Sequence, residues 1–379
     1  MPLTVLFDLD ETLLATHMDR FIPVYFRMLG QALSHLGSQE KVISQLQYAV
    51  DKMNANQDPG KTLQEVFAEN FYPPLGTTEQ ACQSILHTFY QEEYPKIKPV
   101  TQVKPEASEL IRWCQSEGMT IAIATNPLFP QIATRQRITW ADLDPGDFAL
   151  FTAYDDFHFT KPHLAYYAEV LGRLGWPEAP VVMIGDNLGH DLFPMDTIGA
   201  ETFWIHDPHQ GVKWQGGALS EVKPWLKQVM QNNPGRLSNQ SEVNKAILQS
   251  TPAVIDTWLR FQPADASQPN QHPQKARVMA LLAALTSIEE TVYHPMIDQL
   301  RSGSPLELPV PGSYAKVEFS EDSLQDPQAL FTHFLKVRKI TLAQISGTFQ
   351  DAKITQTMNG LVEWMANRDR EQLRRCVNL

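Results

Sequence analysis

The chain has 379 residues, 43% of them hydrophobic and 20% charged, an ordinary globular composition with material for roughly two domains. Its net charge of −12 sits almost wholly in residues 1–240, where 17 Lys and Arg face 28 Asp and Glu; residues 241–379 carry 14 against 15. Front-loaded acidity argues against a nucleic-acid partner, and no apolar run approaches the ~18 residues of a transmembrane helix. The three distant cysteines (Cys82, Cys114, Cys376) argue against a disulfide framework or zinc cluster and suit a reducing cytoplasm.

The chain opens on a buried parallel strand, Leu3–Phe7, that stops abruptly at Asp8. An N-terminus that enters a strand at once leaves no space for a signal peptide. Between residues 15 and 100 the pattern is helical. Apolar residues recur at three and four from Phe21 to Leu36, and further helices are expected over 41–53, 62–70 and 78–94. No strand is evident there, so this block reads as a helical lid inserted after the first strand.

A helix over 106–117 leads to a second strand, Met119–Ala124, running into Thr125-Asn126-Pro127. A third candidate, Phe148–Ala153, leads to Thr160-Lys161-Pro162 and a helix over 164–174. A fourth, Val181–Ile184, runs into Gly185-Asp186-Asn187 with Asp191 beyond, and a fifth, Glu201–Ile205, ends at His206. Strands alternating with helices of this length predict an α/β fold with a doubly wound parallel sheet. The polar run 231–240 reads as a linker. Helices are expected beyond it over 242–261, 275–300, 327–348 and 360–376, with a long Pro/Gly/Ser connection at 302–323, the pattern of an all-α four-helix bundle.

Residues i and i+2 leave a strand on one side, so Asp8 and Asp10 can share a site. Two carboxylates that close call for a divalent metal, a shared proton, or both; the plain alternative is an Asp-rich turn. The other strand ends offer Thr125, Lys161, Asp186 and Asp191. A carboxylate can attack phosphorus to give an aspartyl-phosphate, and a second can protonate the leaving oxygen and then activate water. A hydroxyl, an ammonium and carboxylate-held Mg²⁺ would steady the charge, oxygen ligands with room for phosphate and water being the magnesium pattern.

These stretches, VLFDLDETLL, IAIATNP, FTKPH and VVMIGDNLGHD, resemble in order the four motifs of the haloacid dehalogenase (HAD) superfamily over roughly residues 1–230. The resemblance implies a HAD-like Rossmannoid core from 1–14 and 101–230, with 15–100 as a helical cap of the kind found on enzymes of small phosphorylated molecules. It makes Asp8 the nucleophile and Asp10 the general acid/base, with Thr125, Asn126 and Lys161 at the phosphoryl group. Mg²⁺ would be held by Asp8, Asp186 and Asp10, through its main-chain carbonyl, with Asp191 beside it. The expected activity is Mg²⁺-dependent hydrolysis of a phosphate monoester. The alternatives are a phosphomutase or a scaffold without turnover; the dehalogenating branch lacks the second aspartate that Asp10 supplies. His17 and Arg20, at the cap entrance, are candidate substrate contacts; Asn126 and His163 are candidates to orient the motifs. His206 and His209 read as loop residues.

Residues 241–379 resemble, through Thr251-Pro252, the apolar run 281–290, FLKVRKITLAQI and ANRDREQLRRC, the DinB-like four-helix bundles. That family's metal histidines align with Ala284, Arg368 and Gln372, none of which can take their place as ligands. The bundle is therefore expected to be metal-free, with His294 and His333 on other helices, and to serve packing, partner binding or a homodimer.

Overall fold

A computed structural model describes residues 3–206, 215–232, 240–260, 275–304, 306, 308, 326–346 and 351–377. Contacts divide the chain into two units, 1–166 with 178–237 and 167–177 with 238–379. Most of the expected 231–240 linker, and His209, lie outside the described residues, as does most of the 302–323 connection.

The first unit is built on a six-stranded parallel sheet. Its strands are β1 (Thr4–Phe7), β4 (Thr120–Ile123), β5 (Leu150–Phe151), β6 (Val181–Gly185), β7 (Glu201–Ile205) and β8 (Gly216–Gly217), in the order β5-β4-β1-β6-β7-β8. Two further short strands, β2 (Leu14–Ala15) and β3 (Gln102–Val103), pair antiparallel outside it. All four residues of β1 are buried, as a strand covered on both faces requires. It pairs with β4 on one side and β6 on the other, Phe7 lying level with Ile123 and Ile184. Chain order runs outward from β1 in both directions, so the crevice beyond its carboxyl end is the topological switch point where α/β sheets bind ligands. Two strands differ from the sequence pattern. β5 is two residues long rather than six, and β8 is a strand that its two glycines do not announce.

Around the sheet lie α5 (Pro105–Ser116), α6 (Gln131–Trp140), α8 (Phe193–Ile198) and α9 (Val222–Asn232), while α7 (Leu164–Arg173) begins in this unit and passes into the second. The insertion consists of α1 (Met18–Ala32), α2 (Gln39–Asn54), α3 (Leu63–Phe71) and α4 (Glu79–Thr88). Its ends pass through the β2–β3 ribbon, which joins it to the core by two adjacent strands. Local chemistry starts three of the four cap helices: Ser38 caps α2, Thr78 caps α4, and Thr62 with Glu65 forms a reciprocal capping box on α3. The insertion packs on the core through aromatic rings, Phe21 and Tyr25 of α1 meeting Phe129 at 6.1 and 5.1 Å and Tyr94 meeting Trp140 at 5.2 Å.

The second unit contains α10 (Ser241–Arg260), α11 (Lys275–Ile288), α12 (His294–Arg301), α13 (Pro327–Ile345) and α14 (Ala352–Val377). A π turn at Glu289–Tyr293 joins α11 to α12, so the five segments make four rods. The end of α7 groups with them: a Cβ on Gly172 would stand 2.8 Å from Val254, so glycine lets α10 approach there. The bundle core holds charge. Arg338, fully buried, donates to Glu289 and, at 2.7 Å each, to Asp369 and the Leu248 carbonyl. Thr341 donates to the other Glu289 oxygen. Of the three positions aligned with metal histidines, Arg368 is buried and donates to the Tyr293 hydroxyl at 3.1 Å, while Ala284 and Gln372 are half-buried. His294 contacts the Thr341 hydroxyl at 3.0 Å, and His333 pairs with Glu290.

Candidate active site

Asp8 follows the last residue of β1, and its amide still donates to the Ile184 carbonyl at 2.9 Å. The central strand thus delivers the carboxyl, 93% buried, at the sheet's edge. Lys161 arrives from the loop before α7 and bridges two carboxylates, donating to Asp8 Oδ1 at 2.8 Å and Asp191 Oδ1 at 2.5 Å. Asp191 is reached because β6 ends in glycine. A Cβ on Gly185 would lie 2.4 Å from Asp191 Oδ2, so any larger residue would displace that carboxylate. The same Oδ2 accepts from the Asn187 amide at 3.0 Å.

Oxygens of Asp8, Asp186 and Asp191 lie within 4.8 Å of one another. Negative charge is therefore in excess of what Lys161 can neutralise. Burial, with Asp191 and Asp186 adding repulsion against the pull of Lys161, pushes the Asp8 carboxyl well above the usual range. Burial and then Asp191 push Asp186 up to about 7. This donor set suits a hard divalent cation: all oxygen, close together and unneutralised. Asp191 has both oxygens already hydrogen-bonded, so Asp8 and Asp186 are the carboxylates with ligand capacity in hand.

Asp10 sits in the tight turn after Asp8, where Leu13 and Leu14 amides both return to the Leu9 carbonyl at 2.9 Å. Lys104 braces this turn by donating to the Glu11 and Thr12 carbonyls. The side chain of Asp10 accepts from Thr16 Oγ1 at 2.7 Å and from Arg137 Nη1. Thr125 lies at the end of β4, its carbonyl accepting from Thr152 Oγ1 at 2.6 Å and Tyr166 OH at 2.7 Å. Asn126 Oδ1 accepts from the Lys161 amide at 3.3 Å, which ties the second strand end to the loop carrying the ammonium. Asp8, Asp10, Thr125, Asn126, Lys161, Asp186 and Asp191 thus come from four strand ends to one place.

A family model for haloacid dehalogenase-like hydrolases matches residues 3–193, half of the chain and every side chain just named. The chain belongs to that family. The sheet order and inserted helices of this HAD-like chain are accompanied by low-identity likenesses to solved structures. A HAD phosphatase from Thermococcus onnurineus is 19% identical, with a TM-score of 0.40, over 59% of this chain and 97% of its own. A Thermotoga maritima protein described as a β-phosphoglucomutase is 18% identical, with a TM-score of 0.38, over 60% and 100%. A Pseudomonas syringae hydrolase is 16% identical, with a TM-score of 0.35, over 60% and 98%. No curated protein matches the chain.

Other candidates of the HAD-like chain lie elsewhere. His17, at a left-handed φ of 51°, donates its amide to Glu11, and Arg20 is exposed; neither lines the cavity beside Asp10. The ring of His163 contacts the Asn54 carbonyl at 3.0 Å and Gln57 Nε2, anchoring the end of α2. The His206 ring lies tilted against Trp204, centroids 4.2 Å apart, and Trp204 Nε1 donates to the Asp186 carbonyl at 2.6 Å. The residue not foreseen is Arg137. It is fully buried on α6, lies 4.3 Å over the Phe129 ring and pairs with Asp10. In sequence it stands beside Arg135 and Gln136 in a polar run that looks like a solvated helix face.

Proposed function

We propose that the first unit hydrolyses a small phosphate monoester through a phosphoryl group carried on Asp8. The observation that carries this reading is Asp8 itself: a buried carboxylate at the switch point, bridged by Lys161, with a second carboxyl two residues on. Asp8 attacks phosphorus as the bond to the leaving oxygen breaks, and a proton from the Asp10 carboxyl passes to that oxygen. Water then attacks the phosphorus of the aspartyl-phosphate and gives its proton to Asp10, and the Asp8 carboxylate leaves unchanged. Lys161 pulls against the burial that favours a protonated Asp8 and offsets charge on the phosphoryl oxygens, and Thr125 and Asn126 orient the group. Mg²⁺, held by Asp8, Asp186 and the Asp10 main-chain carbonyl, would supply electrostatic neutralisation of the transferring phosphoryl group. Thr16 and Arg137 donate to the two Asp10 oxygens and so orient the carboxyl that the second step needs as base. For the first step, one of those oxygens turns to the leaving group as a protonated acid.

The test is phosphate release from p-nitrophenyl phosphate and a metabolite panel with Mg²⁺. Turnover that EDTA stops and Asp8→Asn abolishes is expected. A folded protein inactive across the panel would instead support the scaffold reading.

A further inference from the structure

Beside Asp10 the first unit encloses a cavity of about 170 Å³ between the inserted helices and the β4 end. Asp10, Thr125 and Asn126 lie on its wall, so it opens directly from the reacting centre into the cap. Away from those three and the hydroxyls of Tyr25, Tyr72, Tyr90 and Tyr154 the lining side chains are apolar. Leu29 of α1, Leu33 just after it, and Leu46 and Val50 of α2 line it, and rings from Phe67 and Phe129 complete the wall. Among the described residues that line it, Asp10 is the one charged side chain; there is no lysine, arginine or histidine. The remaining polar atoms are phenol hydroxyls. Those of Tyr25 and Tyr90 are hydrogen-bonded to each other at 2.8 Å, and burial pushes the Tyr25 phenol up to about 12, so it is neutral at physiological pH.

We infer that this cavity receives the organic part of the substrate, and that this part is an uncharged apolar group the size of one ring or a six- to eight-carbon branched chain. The inference rests on the phosphatase reading and names its substrate class. The size follows from the volume, since an apolar cavity of about 150 Å³ is known to take up a benzene molecule. The chemistry follows from the lining. A second phosphate or a carboxylate would meet no cation among the lining residues, and Arg137 is already paired with Asp10. Those hydroxyls of a polyol that no phenol reaches would be left without partners, a desolvation cost that an apolar group does not carry. Each buried methylene, in contrast, is worth roughly fourfold in affinity. The polar entrance and apolar interior match the two ends of such an ester.

The experiment compares esters of primary alcohols, so that leaving-group chemistry is matched: benzyl and n-hexyl phosphate against glycerol phosphate and phosphoglycolate, with Mg²⁺ and the full chain. Acetyl phosphate, whose acyl group is too small to reach the far wall, reports phosphoryl transfer separately. The apolar esters should exceed the polar ones at least tenfold in kcat/KM. If acetyl phosphate is hydrolysed while glycerol phosphate or phosphoglycolate equals or outruns benzyl phosphate, the inference is overturned and the phosphatase reading stands. If no ester and no acetyl phosphate is hydrolysed by folded protein, the phosphatase reading fails, and calorimetric binding decides the cavity. Benzylphosphonate should bind at least tenfold more tightly than 2-hydroxyethylphosphonate, and equal binding overturns the inference. Val50→Phe, which narrows the cavity, should reduce the discrimination at least threefold in either arm. An unchanged ratio in folded Val50→Phe protein places the apolar group elsewhere and also overturns it.

Discussion

Lys161 and Arg338 are both buried cations held between carboxylates, and they serve opposite ends. Lys161 lies between Asp8 and Asp191 in the first unit, and Arg338 between Glu289 and Asp369 in the second. Both cations are 96% or more buried. In the bundle the charges balance, Glu289 and Asp369 against Arg338 and Arg368, and the surrounding helices close over them. At the strand ends four aspartates share two buried cations, Lys161 and Arg137, and a cavity opens beside Asp10. A buried ion pair is therefore not in itself a sign of chemistry. Unneutralised charge with access to a ligand is what separates a reactive cluster from a structural one, since uncompensated buried carboxylates seek a proton or a metal.

The comparison can be broken first at Asp8. Asp8→Asn keeps the shape and removes the nucleophile, so turnover should fall by about a thousandfold or more while the unfolding profile stays near wild type. Retained activity would remove the distinction between the two clusters. Arg338→Met tests the other side. Loss of one partner strands two buried carboxylates, so the bundle should be destabilised by about 3–5 kcal/mol in denaturant titrations. Turnover per folded molecule should not change; a parallel loss of activity would mean that the bundle cluster contributes to chemistry.

Arg137 sharpens the comparison because it bears on both types: it is a buried pair whose carboxylate, Asp10, is the acid and base of the proposed reaction. Arg137→Met should lower kcat/KM by about 10–100-fold and alter the shape of the pH profile, with partial rescue by Arg137→Lys. A uniform fall at every pH, matched by lost folded protein, would make Arg137 structural alone. The smallest expected effect is thermodynamic. Asp8, Asp186 and Asp155 all have carboxyls raised by burial, the latter two to about 7 from an ordinary 3.8. A raised carboxyl contributes stability that is present below its unfolded value and lost as pH rises through the folded one. Without metal, the first unit should therefore lose stability between about pH 4 and 7. Mg²⁺ competes with the same protons, so its increment in Tm should be larger at about pH 8 than at pH 5.5. An increment independent of pH, or larger in acid, would show that the carboxylates are not its ligands.

Much of this site is visible in the residues because strand ends have a simple signature. Apolar runs that stop at Asp8, Thr125 and Asp186 mark both the sheet and its functional edge, and one register serves both. Other features depend on tertiary approach. β8 is two glycines whose lack of side chains admits the Trp204 carbonyl, which a Cβ on Gly216 would meet at 2.4 Å; no periodicity could announce it. Arg137 looks solvated until Asp10 and Phe129 close over it. The cavity was hidden for the opposite reason: Leu29, Leu46 and Phe67 read as core stripes of their helices, and only the folded cap leaves space between them. His17 and Arg20 suggest substrate contacts by their position at the cap entrance; the left-handed turn at His17, which directs its amide to Glu11, is a tertiary feature that no spacing announces.

The central claim is that a phosphoryl group passes through Asp8, and trapping tests it most directly. Asp10→Asn protein, with the second-step base removed, should accumulate a phosphoenzyme when mixed with Mg²⁺ and acetyl phosphate and quenched in acid. Peptide mass spectrometry should place one phosphoryl group on the segment bearing Asp8, and hydroxylamine should release it, as expected of an acyl phosphate. Turnover by the wild type without any such species in Asp10→Asn, or a phosphoryl group found on another residue, would contradict the account.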